Sequence, residues 1–261
     1  MQHWTATELA NAAAHGCPLR MTAEWTETSG PRACVHCGAP IQPGELFLPA
    51  GRCATDGVVI GAGSLLYRDV LEPEGEHVHC AAARGAAAPC CYTIGHGTRP
   101  LEDFLSLLRE HGIRLLADIR TVPRSRHNPQ FGGEALAQSL PEAGICYLHL
   151  QNLGGLRKPR VDSPNGGWRN DSFRGYADYM STSAFDAGLA ELIALLRFQP
   201  TAVMCAETVY WRCHRSLVAD ALLVQGIESL HLLAPGKVVL HTLTHFARPE
   251  GTRLFYPPEE C

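Results

Sequence analysis

The residues best suited to chemistry stand together in Cys205-Ala206-Glu207 and Trp211-Arg212-Cys213-His214-Arg215. A thiol near a helix start is favoured as thiolate by exposed N–H groups and the helix dipole. Arg212, His214 and Arg215 surround Cys213 with positive or protonatable groups, so Cys213 is a candidate reactive cysteine and His214 its partner. Glu207 and Asp118, each at a predicted strand end, are candidate acid/base groups, the rival use being structural, to orient Arg120 and Arg215; His96 is a candidate proton shuttle. Cys205 lies in the apolar run Ala202 to Met204 and reads as a small core residue. Arg212 follows Cys205 by seven positions, which does not fit the Cys-x5-Arg loop of phosphatases and rhodaneses. A metal held by His96, Asp118, Glu207 and His214 is chemically open, though no close spacing demands it.

Arginine forks suit phosphate, and five qualify: Arg120, Arg124, Arg126, Arg212 and Arg215. Residues 120–174 carry eight Lys or Arg against four acids, although the chain as a whole is at −4. Trp168, Tyr210 and Trp211 lie among Arg157, Lys158, Arg160 and Arg169 and could stack on bases; loop aromatics also commonly pack down to hold a loop.

A second cluster stands near the N-terminus: Cys34-Val35-His36-Cys37-Gly38, then His77-Val78-His79-Cys80. A Cys-x-x-Cys knuckle and a His-x-x-Cys pair, the latter expected on a helical turn, supply three sulfurs and one nitrogen for a structural zinc. The expected ligands are Cys34, Cys37, His77 and Cys80, with His79 the alternative to His77. The pattern resembles poly(ADP-ribose)-polymerase-type zinc fingers, which implies contact with DNA ends or with a protein partner. Residues 1–91 hold five Arg and nine acids, however, and an acidic segment binds phosphate poorly.

The elements that must position these groups follow from pattern. Thr5 to Ala14 could be a short helix, and residues 1–89 read as a small zinc-binding domain. From residue 90 strands alternate with helices: Cys91–Ile94, a helix from Pro100 to Gly112, Ile113–Ile119, a helix over Glu134–Glu142, and Cys146–Leu150. Helices over Phe173–Met180 and Ala184–Phe198, the strand before Cys205, a helix over Ser216–Gln225, and strands at Glu228–Leu233 and Val238–Leu243 complete the series. This alternation predicts an α/β fold over residues 90–261, a mainly parallel doubly wound sheet with helices on both faces. In such sheets ligands sit outside the carboxyl ends of the strands, where His96, Asp118, Arg120, Gln151, Asn152 and Glu207 fall.

Gly95-His96-Gly97, Asp118-Ile119-Arg120, Pro123-Arg124-Ser125-Arg126, Gln130-Phe131, Leu153-Gly154-Gly155, Cys205-Ala206-Glu207 and Cys213-His214-Arg215 together resemble the domain of unknown function 488 family, over about Tyr92 to Leu233. Gly97 departs from the pattern, where the resemblance implies a serine more often. The resemblance implies a fold and no defined reaction.

No run approaches the roughly 20 apolar residues of a membrane span, and Met1-Gln2-His3-Trp4 does not open a secretory signal, so a cytoplasmic location is expected. There the eleven cysteines read as ligands, buried thiols or catalytic groups rather than disulfides. The functional expectation is an enzyme acting on a nucleotide or nucleic-acid substrate. A non-catalytic nucleotide or nucleic-acid sensor is the alternative.

Overall fold

The computed structural model describes residues 12, 17–20, 39–53, 59–60, 71–77 and 89–258. The N-terminal part contributes an antiparallel sheet of β1 (Leu19–Arg20), β2 (Leu46–Cys53), β3 (Val59–Ile60) and β4 (Leu71–His77). β4 runs along the whole of β2, from Phe47 opposite His77 to Cys53 opposite Leu71. His77 is the last residue of β4, and residues 78–80, over which the helical turn is expected, lie outside the described residues. Cys34, Cys37 and Cys80, like most of the Thr5–Ala14 helix, lie outside the described residues.

The larger unit is a six-stranded sheet in the order β10-β9-β5-β8-β6-β7. Its strands are β5 (Cys90–Gly95), β6 (Leu115–Asp118), β7 (Cys146–His149), β8 (Thr201–Cys205), β9 (Glu228–Ala234) and β10 (Lys237–Leu240). The first five are mutually parallel, and β10 returns antiparallel on β9. Every residue of β6 is buried, as are Thr201 to Met204 of β8, which explains why these strands read as unbroken apolar runs.

Five helices cover the sheet: α1 (Leu101–Glu110), α2 (Gly133–Glu142), α3 (Asp171–Tyr179), α4 (Ser183–Phe198) and α5 (Arg215–Val224). Their faces follow from the direction of winding, because parallel crossovers are right-handed. From β5 the chain steps outward to β6 and β7, with α1 and α2 on one face; Phe104, Leu108, Leu136 and Leu140 pack there against Ile94, Leu116 and Met204. It then returns to β8 and on to β9, placing α3, α4 and α5 on the other face; Tyr176, Leu192 and Leu217 pack there against Ala117, Ile119 and Val203. The start of α3 is capped by Asn170, which accepts from the Ser172 and Phe173 amides, and that of α4 by Thr182, which accepts from Phe185.

This winding locates the crevice. β8 is flanked by β5 and β6, whose following helices go to one face, while α5 leaves β8 for the other. The loops diverge above the carboxyl end of β8, so that end lies at the switch in winding where such sheets bind ligands.

The N-terminal strands are tied to this sheet. Cys17 forms a disulfide with Cys146 at the start of β7, against the expectation of free or ligating thiols. Arg20 pairs with Glu191 on α4, and Leu46 joins the core on that face. A short hairpin, β11 (Arg248–Glu250) with β12 (Arg253–Phe255), closes the described chain. No helix among the described residues is long and apolar enough to cross a membrane.

Candidate functional site

The loop leaving β8 is held between the ends of its neighbours. The His96 and Gly97 amides donate to the carbonyls of Cys205 and Ala206, and the Ile119 amide donates to Met204. Gly97 has φ +52, and a Cβ there would lie 2.1 Å from Thr208 Oγ1. A serine would strain the backbone and strike the loop, which accounts for the glycine in this chain.

Cys205, Cys213 and His214 meet at this point, with their ligand atoms all within 4.8 Å of one another. His214 Nδ1 is 3.9 Å from Cys205 Sγ and 3.7 Å from Cys213 Sγ. The other ring nitrogen, Nε2, is 3.0 Å from the Ile119 carbonyl at the end of β6. A carbonyl can only accept, so Nε2 carries a proton, and Nδ1 is the nitrogen turned toward both sulfurs. Tyr176 packs on the ring from α3, and Gly155, in the loop after β7, crosses it so closely that a Cβ would lie 2.8 Å from Nδ1. Thr121 holds Gly155 in place by donating to its carbonyl at 2.6 Å.

The two sulfurs divide their roles. Donation from the Cys205 thiol, with His214 and Arg215 adding to it against the effect of burial, holds Cys213 well below the ordinary thiol range. That same pairing with Cys213, reinforced by burial, pushes Cys205 up. The arrangement shares one negative charge between two sulfurs, held chiefly on Cys213, with the His214 imidazole beside it.

A second network forms the wall toward β6. Asp118 is fully buried; its carboxylate accepts from Arg120 Nε at 2.9 and 3.0 Å, from Arg120 Nη2, from the Arg120 amide at 3.0 Å and from the Tyr147 hydroxyl at 2.8 Å. Burial works against the Arg120 charge, but the paired carboxylate outweighs it and holds the guanidinium above its ordinary range. Burial and then Asp118 push the Tyr147 phenol up as well. His96 donates from Nδ1 to the Gly97 carbonyl and accepts from Arg120 at 3.4 Å through Nε2, with its ring stacked on Phe131. Its pKa is lowered by burial, opposed by the Gly97 carbonyl and reinforced by Arg120. His149 donates to the Arg120 carbonyl. Asp118, Arg120 and His96 thus come together as predicted, yet with their capacity used on one another. They are placed to position the crevice wall.

Arg215 is buried at the first turn of α5 and donates to the carbonyls of Glu207 and Thr208 and to Thr93 Oγ1. From Thr93 a buried chain continues to His231 Nδ1 at 2.7 Å, from His231 Nε2 to His241 Nδ1 at 3.0 Å, and from His241 Nε2 to Asp220 at 2.8 Å. Asp220 also accepts from Thr244 and Tyr256. Every hydrogen bond can point one way, from the guanidinium to the carboxylate, with both imidazoles neutral. This chain anchors Arg215, and Arg215 anchors the loop carrying Glu207. Glu207 is half-buried, with Oε1 accepting from the Val209 amide.

The remaining candidates lie on the rim. Arg124, Arg126 and Arg212 are exposed, and so are Val122, Leu156 at 83% and Trp211 at 59%, all on loops that follow β6, β7 and β8. Trp168 packs against Phe173, Phe246 and Tyr256, and Tyr210 stacks on His231, so neither ring offers the free stacking face the sequence suggested. The metal set drawn from His96, Asp118, Glu207 and His214 does not form: Arg120 occupies two of its members, and His214 faces the cysteines instead. Cys205, which the sequence assigned to the core, is the residue the structure adds to the Cys213–His214 pair. Its one signal was its place as the last residue of the strand.

Residues 100–222 match the family model described as Domain of unknown function DUF488. The DUF488 segment runs from just before α1 into α5 and includes Asp118, Arg120, Gly155, Cys205, Cys213 and His214. It falls within the span where the motifs resembled that family. Neither a curated protein nor a solved structure matches the chain.

Proposed function

We propose that the chain is an enzyme whose reactive centre is the Cys205–Cys213–His214 cluster and whose substrate carries phosphate, as a nucleotide or a nucleic-acid strand. The observation that carries this reading is the convergence of two sulfurs and an imidazole nitrogen at the switch in winding, built from the ends of β6 and β8, the loop after β7 and the start of α5. A sulfur held as thiolate beside an imidazole is the starting state for nucleophilic or metal-assisted chemistry. The phosphate part is supported by exposed Arg124, Arg126 and Arg212 and by the basic balance of residues 120–174. Trp211, exposed beside Arg212, offers a stacking face for a base. Glu207, within the same loop, is the carboxylate free to move a proton once its contact with the Val209 amide opens.

The N-terminal cysteines fit this reading as a structural zinc site of Cys34, Cys37, His77 and Cys80, supported by their spacing. A protein partner could dock on that segment.

The test is turnover of a panel of nucleoside phosphates and short single-stranded oligonucleotides, followed by mass spectrometry and phosphorus NMR. Wild type is expected to convert at least one member, and Cys213→Ala to bind it without converting it. Equal conversion by both would reject the assignment. Binding without conversion in wild type would favour the sensor.

A further inference from the structure

We infer that Cys205, Cys213 and His214 bind a thiophilic divalent metal ion, zinc being the ion they fit, at the centre proposed above, on which this inference rests. A cysteine–histidine pair acting alone needs one sulfur. Here a second sulfur faces the same nitrogen, and all three donor atoms lie within 4.8 Å of one another.

The spacing can be compared with a tetrahedral site. Zn–S bonds of about 2.3 Å and Zn–N bonds of about 2.0–2.1 Å place sulfur and nitrogen ligands ~3.6 Å apart. The observed separations from His214 Nδ1, 3.7 and 3.9 Å, are within a few tenths of that edge. An ion could enter with small rotations of the two thiol side chains.

Three further features point the same way. Donation from His214 Nε2 to the Ile119 carbonyl fixes the tautomer and aims the lone pair, the outer-shell contact that ligating histidines use. Gly155 leaves open the space beside Nδ1 that a Cβ would fill. Each ligand sits on a held backbone: Cys205 at the end of β8, where its carbonyl accepts from His96, and Cys213 and His214 at the junction with α5. Two thiolates and one imidazole occupy three positions of a tetrahedron. A bound ion would have its fourth position left to water or substrate, as in catalytic rather than structural zinc sites.

The experiment uses the full chain, stripped with a chelator and titrated with Co2+ as an optical stand-in for zinc. Cys205→Ala and His214→Ala are each expected to bind one equivalent fewer than wild type, with loss of that site's thiolate-to-cobalt charge-transfer absorption. Gly155→Ala is expected to weaken binding at this site at least about tenfold. Because the N-terminal cysteines can hold an ion of their own, Cys34→Ala/Cys37→Ala is measured as well and must retain one equivalent with the charge-transfer band. Equal uptake by wild type and Cys205→Ala overturns the inference. Should Cys205→Ala fail to fold, absence of cobalt from the N-terminal variant overturns it instead. Metal uptake without turnover would count against the enzyme reading alone, and full turnover by the chelated chain against the metal alone.

Discussion

Replacing Asp118 by Asn removes one charge from a fully buried ion pair and leaves the volume nearly unchanged. In the native chain the carboxylate takes the Arg120 amide, Nε and Nη2 together with the Tyr147 hydroxyl. An amide in its place keeps one accepting oxygen but turns an N–H toward a donor. Arg120, itself buried, then loses its countercharge and one hydrogen bond. Breaking a buried pair from one side costs about 3–5 kcal/mol, since the remaining charge stays desolvated. For a chain of this size each kcal/mol moves the melting temperature by roughly 2–4 °C, so a fall on the order of 10 °C is expected. Urea melts monitored by circular dichroism, with wild type and Asp118→Asn in parallel, provide the assay. The double variant Asp118→Leu/Arg120→Met, which removes both charges, should recover only the part of the loss due to the unpaired guanidinium, because the backbone amide at position 120 and the Tyr147 hydroxyl still lack their acceptor. A change below about 0.5 kcal/mol for Asp118→Asn, at an unchanged slope, would refute the assignment of this pair as the brace of the crevice wall.

Other predictions follow from the same contacts. Burial, with the neighbouring His241 and Arg215 adding to it, pushes the His231 pKa down to about 3, against about 6.5 in an unfolded chain. The stability from its neutral ring is therefore fully present above about pH 6.5 and is lost as pH falls toward 3, by about 1.4 kcal/mol per pH unit. His231→Gln, still facing His241, Thr93, Arg215 and the Tyr210 ring and acting through Asp220, should flatten the fall in urea midpoint between neutral and mildly acid pH; an unchanged fall contradicts it. Gly155→Ala places a methyl 2.8 Å from His214 Nδ1, so conversion of any substrate found should drop at least about tenfold, with about 1–3 kcal/mol of stability lost to overpacking. Unaltered conversion would show that the space beside Nδ1 is not used.

Much of the larger fold could be read from the sequence. The buried runs at Leu115–Asp118 and Thr201–Cys205 are uninterrupted because parallel strands are covered on both faces, and α1 to α5 fall within a few residues of their predicted spans. The N-terminal strands were not legible: β2 and β4 carry Pro, Gly and charged residues, which weaken any period-two pattern. No spacing rule could pair Cys17 with Cys146, 129 positions apart. At the site, residue types identified Cys213 and His214 but could not say where each side chain spends its hydrogen bonds. Asp118 read equally as an acid/base group or as the carboxylate that orients Arg120, and one dimension could not choose between them. In space Arg120 folds back onto it. Cys205 looked like core because the three residues before it are buried, Val203 on one face of the sheet and Ala202 and Met204 on the other; Cys205 itself is less buried, where the strand passes into the loop. The chain from Arg215 through Thr93, His231 and His241 to Asp220 joins three separate elements and the segment after β10, and leaves no motif.

Whether the two sulfurs occupy one centre can be asked chemically, without a substrate or a metal. A trivalent arsenical such as phenylarsine oxide bridges two thiols only where they converge. Applied to the native chain and followed by peptide mapping, it should protect Cys205 and Cys213 together from alkylation, and Cys205→Ala should abolish the protection of Cys213. Independent alkylation of the two cysteines, at rates the arsenical does not change, would contradict the proposed centre.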